Sequence, residues 1–250
     1  MKNENFQSGL EHLYASYLES TLITELKQCE ENVGYEKNPP ANPLLISIDE
    51  IEFRGAAIRI MFFGQETNTW NGKIQVKWSN NLNLYHQFFK NAMQGQYNGP
   101  FWIGIRSFRK KLRDEIKDIS VEFVWNNIYK IGNQKHNTNR PTEEIRKIEN
   151  NFFDVINKEI DILKPNVLLF FTGPNYDARV KKVFDDFKSE PLSTNIEQRK
   201  LARLNLTNNI LAYRTYHPGY LYRAKHFNEY IDLIIKDIAK HKDELHATIL

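Results

Sequence analysis

A single cysteine, Cys29, stands in 250 residues. That excludes an internal disulfide and any cysteine-built metal cluster, and it suits a reducing compartment. Apolar runs are short, and none approaches the roughly 18 residues of a membrane helix. The opening Met1-Lys2-Asn3-Glu4-Asn5 is polar and leads into no apolar signal-peptide core. The expectation is a soluble, cytoplasmic monomer. Charge of one sign is also lacking. The formal net charge is +3, which by itself does not announce a nucleic-acid binder, although a pI of about 8.7 leaves room for a local basic face. There is no internal repeat and no low-complexity tract.

What is present is an ordinary globular balance, 41% hydrophobic and 26% charged. A chain of this size fills one α/β core or at most two small domains. Aromatics reach 13%, with 16 Phe, 12 Tyr and 4 Trp. Such side chains serve cores and base stacking equally.

Helical spacing of Leu10, Leu13, Tyr14, Tyr17, Leu18, Leu22 and Leu26 predicts one long amphipathic helix over 8–30. A proline-bearing loop over 34–43 and a strand pair or irregular edge over 44–53 follow. Further helices are expected at 82–93, 103–116, 176–187 and 227–239. Pro141 with Glu143 and Glu144 opens another, whose apolar stripe runs from Ile145 to Leu163. Residues 188–205 give no clear pattern.

Buried strands are expected at 58–63, 121–131, 166–171 and 210–216, alternating with these helices. The pattern predicts a three-layer α/β/α fold with a four-stranded, mainly parallel sheet. Residues 1–57 are expected as an N-terminal helix and connecting segment packed on a single 58–250 unit.

The strand ends carry the chemistry. Ile60 to Phe63 run straight into Gly64-Gln65-Glu66, as a buried parallel strand does when it leaves functional groups at its carboxyl edge. The second strand ends in Asn126-Asn127, the third in Thr172-Gly173, and the fourth in His217-Pro218-Gly219. Each feature has a plain structural reading beside it. Glu66 reads also as a turn or capping acid, His217 as a hydrogen-bonded surface or core histidine, and Asn126 or Asn127 as a turn cap. Trp78 reads as packing, and the basic run from Arg106 to Arg113 as a solvated helix face. The histidines show no metal-ligand spacing, so no metal site is expected.

In order and approximate spacing, these motifs resemble the uracil-DNA glycosylase superfamily over about residues 58–240. Gly64-Gln65-Glu66 is similar to the family's Gly-Gln-Asp, and Phe123-Val124-Trp125-Asn126 to its second strand. Leu168 to Gly173 is similar to its third strand and loop, and His217-Pro218-Gly219-Tyr220-Leu221 to its His-Pro-Ser-Pro-Leu. The resemblance implies hydrolysis of a DNA N-glycosidic bond, without a cofactor, after the base is flipped out of the stack.

Carried over residue by residue, the resemblance makes Glu66 the water-orienting acid and His217 the donor to the leaving base. Gln65 would line the pocket. Asn126 would read the base, with Asn127 as the alternative. Trp78 would stack on the base, with Phe101 or Trp102 as substitutes. Gly173 and Gly219 would let phosphates approach the backbone, and Leu221 would fill the vacated stack. The chain departs from the pattern where Glu66 replaces Asp, Asn68 replaces Tyr, Gly219 replaces Ser, and Pro174 removes an N–H donor. Two other functions remain open: a non-catalytic nucleic-acid-binding module, and a hydrolase of a small nucleoside or nucleotide.

Overall fold

The computed structural model describes the chain except residues 1–4, 34–37, 75–76, 136–139, 186, 207–209 and 248–250. Parts of the expected loops at 34–43 and 133–140 therefore lie outside the described residues.

Among the described residues there are seven strands: β1 (Pro40–Pro43), β2 (Ile58–Asn68), β3 (Val121–Asn133), β4 (Val167–Phe170), β5 (Lys188–Pro191), β6 (Leu201–Asn205) and β7 (Leu211–Thr215). Their order in the sheet is β1-β3-β2-β4-β7-β6-β5. The α/β class is as expected, but the sheet has seven strands instead of four, and it is mixed. β2 pairs parallel with β4 and β4 with β7, whereas β1–β3, β5–β6 and β6–β7 are antiparallel. The four expected strands stand together as β3, β2, β4 and β7. Two of the three extra strands, β1 and β5, are the sheet's edges and evade sequence patterning for a physical reason. Two of the four residues of β1 are proline, and β5 reads Lys-Ser-Glu-Pro with no apolar face, a composition proper to edges.

Eleven helices are found among the described residues. The stretch 8–30 is two helices, α1 (Phe6–Leu18) and α2 (Leu22–Val33). The break falls where the Ser20 hydroxyl donates back to the Tyr17 carbonyl at 2.7 Å, local bonding that competes with the helix ladder. Next come α3 (Glu50–Gly55), α4 (Ser79–Met93) and α5 (Pro100–Glu115). The stripe from Ile145 to Leu163 also divides, into α6 (Glu143–Phe152) and α7 (Ile156–Leu163). α6 starts as read, with Thr142 Oγ1 accepting the Ile145 N–H at 3.3 Å and two acids in the first turn. A short 3-10 turn (Pro174–Tyr176) leads into α8 (Asp177–Val183). The chain ends with α9 (Pro218–Arg223), α10 (Phe227–Lys240) and α11 (Lys242–Ala247). No described helix is long and apolar enough to cross a membrane.

The chain divides into two compact units, each discontinuous: residues 1–50, 65–87 and 126–163 in the first, and 51–64, 88–125 and 164–250 in the second. The division cuts across the expected boundary at 57/58. β2 and β3 each begin in the second unit and end in the first.

In the first unit, α1 comes close to α7 through Gly9, where an added Cβ would lie 3.1 Å from Ile162 Cγ2. In the second, β2, β4 and β7 run side by side with Phe63 paired to Phe170 and Phe170 to Arg214. Burial of every β2 residue from Ile58 to Gly64 marks a strand covered on both faces. Phe62 is the hub of that core, edge-on to Phe108 at 5.5 Å and stacked on Phe123 at 5.5 Å and Phe171 at 6.1 Å.

Candidate functional site

In the second unit the parallel strands β4 and β7 pair in register and end close together, at Phe170 and Thr215. Gly173, just past β4, has a φ of +72°. Its N–H donates to the Thr215 carbonyl at 3.0 Å, and an added Cβ would meet Tyr216 Cδ1 at 3.0 Å. Glycine is thus required twice over, by conformation and by the ring against it. The bond ties the loop after β4 to the end of β7.

β7 delivers His217 two residues beyond its last residue, as the N-cap of α9. Nδ1 of His217 accepts the Gly219 N–H at 3.0 Å. An imidazole nitrogen that accepts carries no proton, so the neutral ring holds its proton on Nε2. Burial pushes the His217 pKa below the usual imidazole value, and the positive charge of Arg223 pushes it the same way. At neutral pH His217 is therefore uncharged, with Nε2–H as its one donor. Phe101, at the start of α5, lies on the ring with centroids 5.5 Å apart and planes 21° from parallel, and Phe101 is itself edge-on to Phe171 at 6.2 Å. This arrangement can stabilise negative charge growing on an oxygen. It is poorly suited to removing a proton, because the ring's lone pair is already engaged.

The other expected residues of this unit fare differently. Gly219 and Gly173 are buried, and their N–H groups already donate to His217 and Thr215. Neither N–H is open to a phosphate in this conformation. Leu221 is fully buried, at 0% exposure, so it is a core residue and presents no wedge. The exposed aromatics of α9 are its neighbours Tyr220 and Tyr222, at 45% and 37%. The basic run on α5 is largely engaged internally. Arg106 donates to the Ala92 and Tyr97 carbonyls, Lys110 pairs with Asp114, Lys111 with Asp232, and Arg113 with Glu122.

Gln65, Glu66, Trp78 and Asn126 belong to the first unit. Gln65 and Glu66 are half-buried near the end of β2. Trp78 donates its indole N–H to Glu19 Oε1 at 3.2 Å and lines an open cavity of about 400 Å³ with Leu18, Glu19, Ile23, Lys77 and Ser79.

Asn126 is wholly buried. Its amide donates to Glu159 Oε2 at 2.8 Å, and its oxygen accepts from Lys130 Nζ and from the Asn127 N–H, both at 2.9 Å. Lys130 is ion-paired with Glu159, both fully buried, and Tyr14 donates its hydroxyl to Glu159 Oε1 at 2.6 Å. Glu149, also fully buried, accepts the backbone N–H groups of Lys130 and Ile131 at 3.0 and 2.9 Å. Burial drives the Lys130 pKa down, against the pull of Glu159. An amide with its nitrogen and oxygen both committed to this network is not presented to a base, and Asn127, 2% exposed, is buried as well. The network went unread in the sequence, although a signal exists. Glu149 and Glu159 stand at positions that helical spacing places on the apolar stripe of α6 and α7, and Lys130 interrupts the apolar run of β3.

Cys29 offers no nucleophile. It is buried, and its thiol is pushed up to about 11 by burial and by Glu144. No protein-family model matches the chain, and no curated protein matches it.

Proposed function

We propose that the chain hydrolyses the N-glycosidic bond of uracil or a related damaged base in DNA, with His217 donating a hydrogen bond to the departing base and Glu66 orienting the attacking water. The observation that carries this reading is the hydrogen bond from the Gly219 N–H to His217 Nδ1. It leaves a neutral imidazole whose only proton is on Nε2, the form that stabilises an anionic leaving group without first losing a proton. Glycosidic cleavage places negative charge on the base and positive charge on the sugar, so a donor and a carboxylate are the two groups the chemistry asks for. Gln65, beside Glu66, is assigned to the pocket wall. The fold proposed with this activity is the glycosylase-like core of β3, β2, β4 and β7, carrying the remaining strands as additions at its edges.

The test incubates the protein with single- and double-stranded oligonucleotides containing uracil, hypoxanthine, xanthine or a thymine mismatch, and scores alkali-labile breaks. Excision by the wild type, lost in Glu66→Gln and His217→Ala, supports the assignment. An intact oligonucleotide with every base removes it.

A second reading, a nucleic-acid-binding module without catalysis, is favoured by the commitment of the Asn126 amide to Glu159 and Lys130. It expects salt-dependent DNA binding that Glu66→Gln and His217→Ala leave unchanged.

A further inference from the structure

We propose that the N-terminal part of α5 is a clamp for His217, with Phe101 and Gly104 as positioning residues that fix the imidazole plane and its tautomer. Three contacts converge on the residues from His217 to Gly219. Phe101 covers one face of the imidazole at 5.5 Å, with the planes 21° apart. Gly104, one turn further along α5, faces Pro218, where a Cβ added to Gly104 would fall 2.6 Å from Pro218 Cβ and 2.8 Å from its Cγ. A Cβ added to Gly219 would sit 3.3 Å from Pro100 Cβ and 3.2 Å from His217 Nδ1.

Glycine is a poor helix former, and Gly104 lies inside a 16-residue helix with no left-handed backbone angle to require it. Close approach accounts for it. Pro218 is a rigid ring fused to the backbone, so a side chain at 104 displaces the chain at 217–219 instead of rotating a flexible group aside. Phe227 closes the same gap, 3.1 Å from the position of that Cβ. The result is a histidine held on a short loop by a ring on its face, a proline seated behind it and a backbone N–H on Nδ1. Arg223, on α9, is the charged group that acts on the imidazole, and α5 brings Pro100 and Phe101, neither of which titrates.

The clamp itself is independent of the reaction, while its use in catalysis rests on the glycosidic reading above. The test is nitrogen NMR of the His217 ring in the full chain, followed through a pH titration. The wild type is expected to give one neutral tautomer, protonated at Nε2, with a midpoint below the ordinary 6.5. Phe101→Ala and Gly104→Ala are expected to move the midpoint upward and to bring the two ring-nitrogen shifts closer, as a loosened ring exchanges tautomers. Phe101→Tyr, which keeps the flat face, restores the wild-type pattern. Gly9→Ala, a tightening of similar kind in the first unit, leaves it unchanged.

A folded Phe101→Ala with His217 shifts and midpoint identical to wild type overturns the proposal. Should Gly104→Ala fail to fold, the two Phe101 variants decide alone. The readout needs no substrate, so the two ideas fail separately. NMR changes as expected with no excision of any base uphold the clamp and remove the glycosidic reading, whereas excision with an unmoved His217 does the reverse.

Discussion

Asn126 donates its side-chain amide to Glu159 Oε2 at 2.8 Å, and the bond holds a carboxylate that is also paired with Lys130 and with the Tyr14 hydroxyl. A residue placed by sequence at a strand end, where it would read a base, is instead a strut under a buried charge. Asn126→Ala removes one partner from that carboxylate and one acceptor from Lys130. The expected loss is about 1–3 kcal/mol of unfolding free energy, the usual range when buried polar groups lose a partner. Urea unfolding of the variant checks it, and an unchanged midpoint would return Asn126 to the list of groups free to meet a ligand.

Lys130 and Glu159 predict a sharper contrast. Both side chains have no exposed surface. Lys130→Met alone leaves a buried carboxylate without its cation and is expected to cost about 3–5 kcal/mol. Lys130→Met combined with Glu159→Leu removes both charges and should recover much of that loss, because a buried pair contributes little net of its desolvation. A double variant no more stable than the single would show that the pair itself, and not the orphaned charge, holds the first unit together.

These residues also mark the limit of what the sequence discloses. The strand cores were legible because burial on both faces writes an unbroken apolar run, as in Ile60 to Phe63 and Val167 to Phe171. The edge strands were illegible because an edge need bury nothing, and Lys188 to Pro191 has no pattern to read. Helix breaks at 19–21 and 153–155 were missed because apolar spacing continued through them. At the site, the position of His217 at the end of β7 followed from the strand pattern. Its tautomer did not, because that depends on a single backbone N–H two residues away. The burial of Leu221 was illegible for a related reason. One residue of rotation on a six-residue helix separates the fully buried Leu221 from the exposed Tyr220, and no periodicity is measurable over so short a span.

Leu221 and Tyr220 consequently predict opposite behaviour. Leu221→Ala truncates a side chain with no exposed surface and is expected to destabilise by about 2–5 kcal/mol, as buried leucine truncations do. Tyr220→Ala, at 45% exposure, gives up a ring contact with Tyr216 at 4.6 Å and should cost no more than about 1.5 kcal/mol. Thermal unfolding separates the two. If α9 also meets a nucleic acid, Tyr220→Ala weakens binding while Leu221→Ala weakens only the fold, since base stacking needs an accessible ring.

Stability should also depend on pH through His217. Its pKa in the folded chain is below the ordinary imidazole value of 6.5, first by burial and then by the charge of Arg223. In the unfolded chain the ring returns to about 6.5. Between the two values the unfolded chain binds the extra proton and the folded chain does not, so protonation favours unfolding. Stability contributed by His217 is thus complete above 6.5 and falls as the pH drops from 6.5 toward the lowered folded value. His217→Asn cannot bind that proton, and its stability should lack this part of the decline. Unfolding free energies for wild type and variant, measured at steps from pH 8 down to pH 5, are expected to converge at the acid end relative to their separation at pH 8. A constant difference between the two proteins across that range would mean that His217 titrates alike in the folded and unfolded chain, and that neither burial nor Arg223 acts on it.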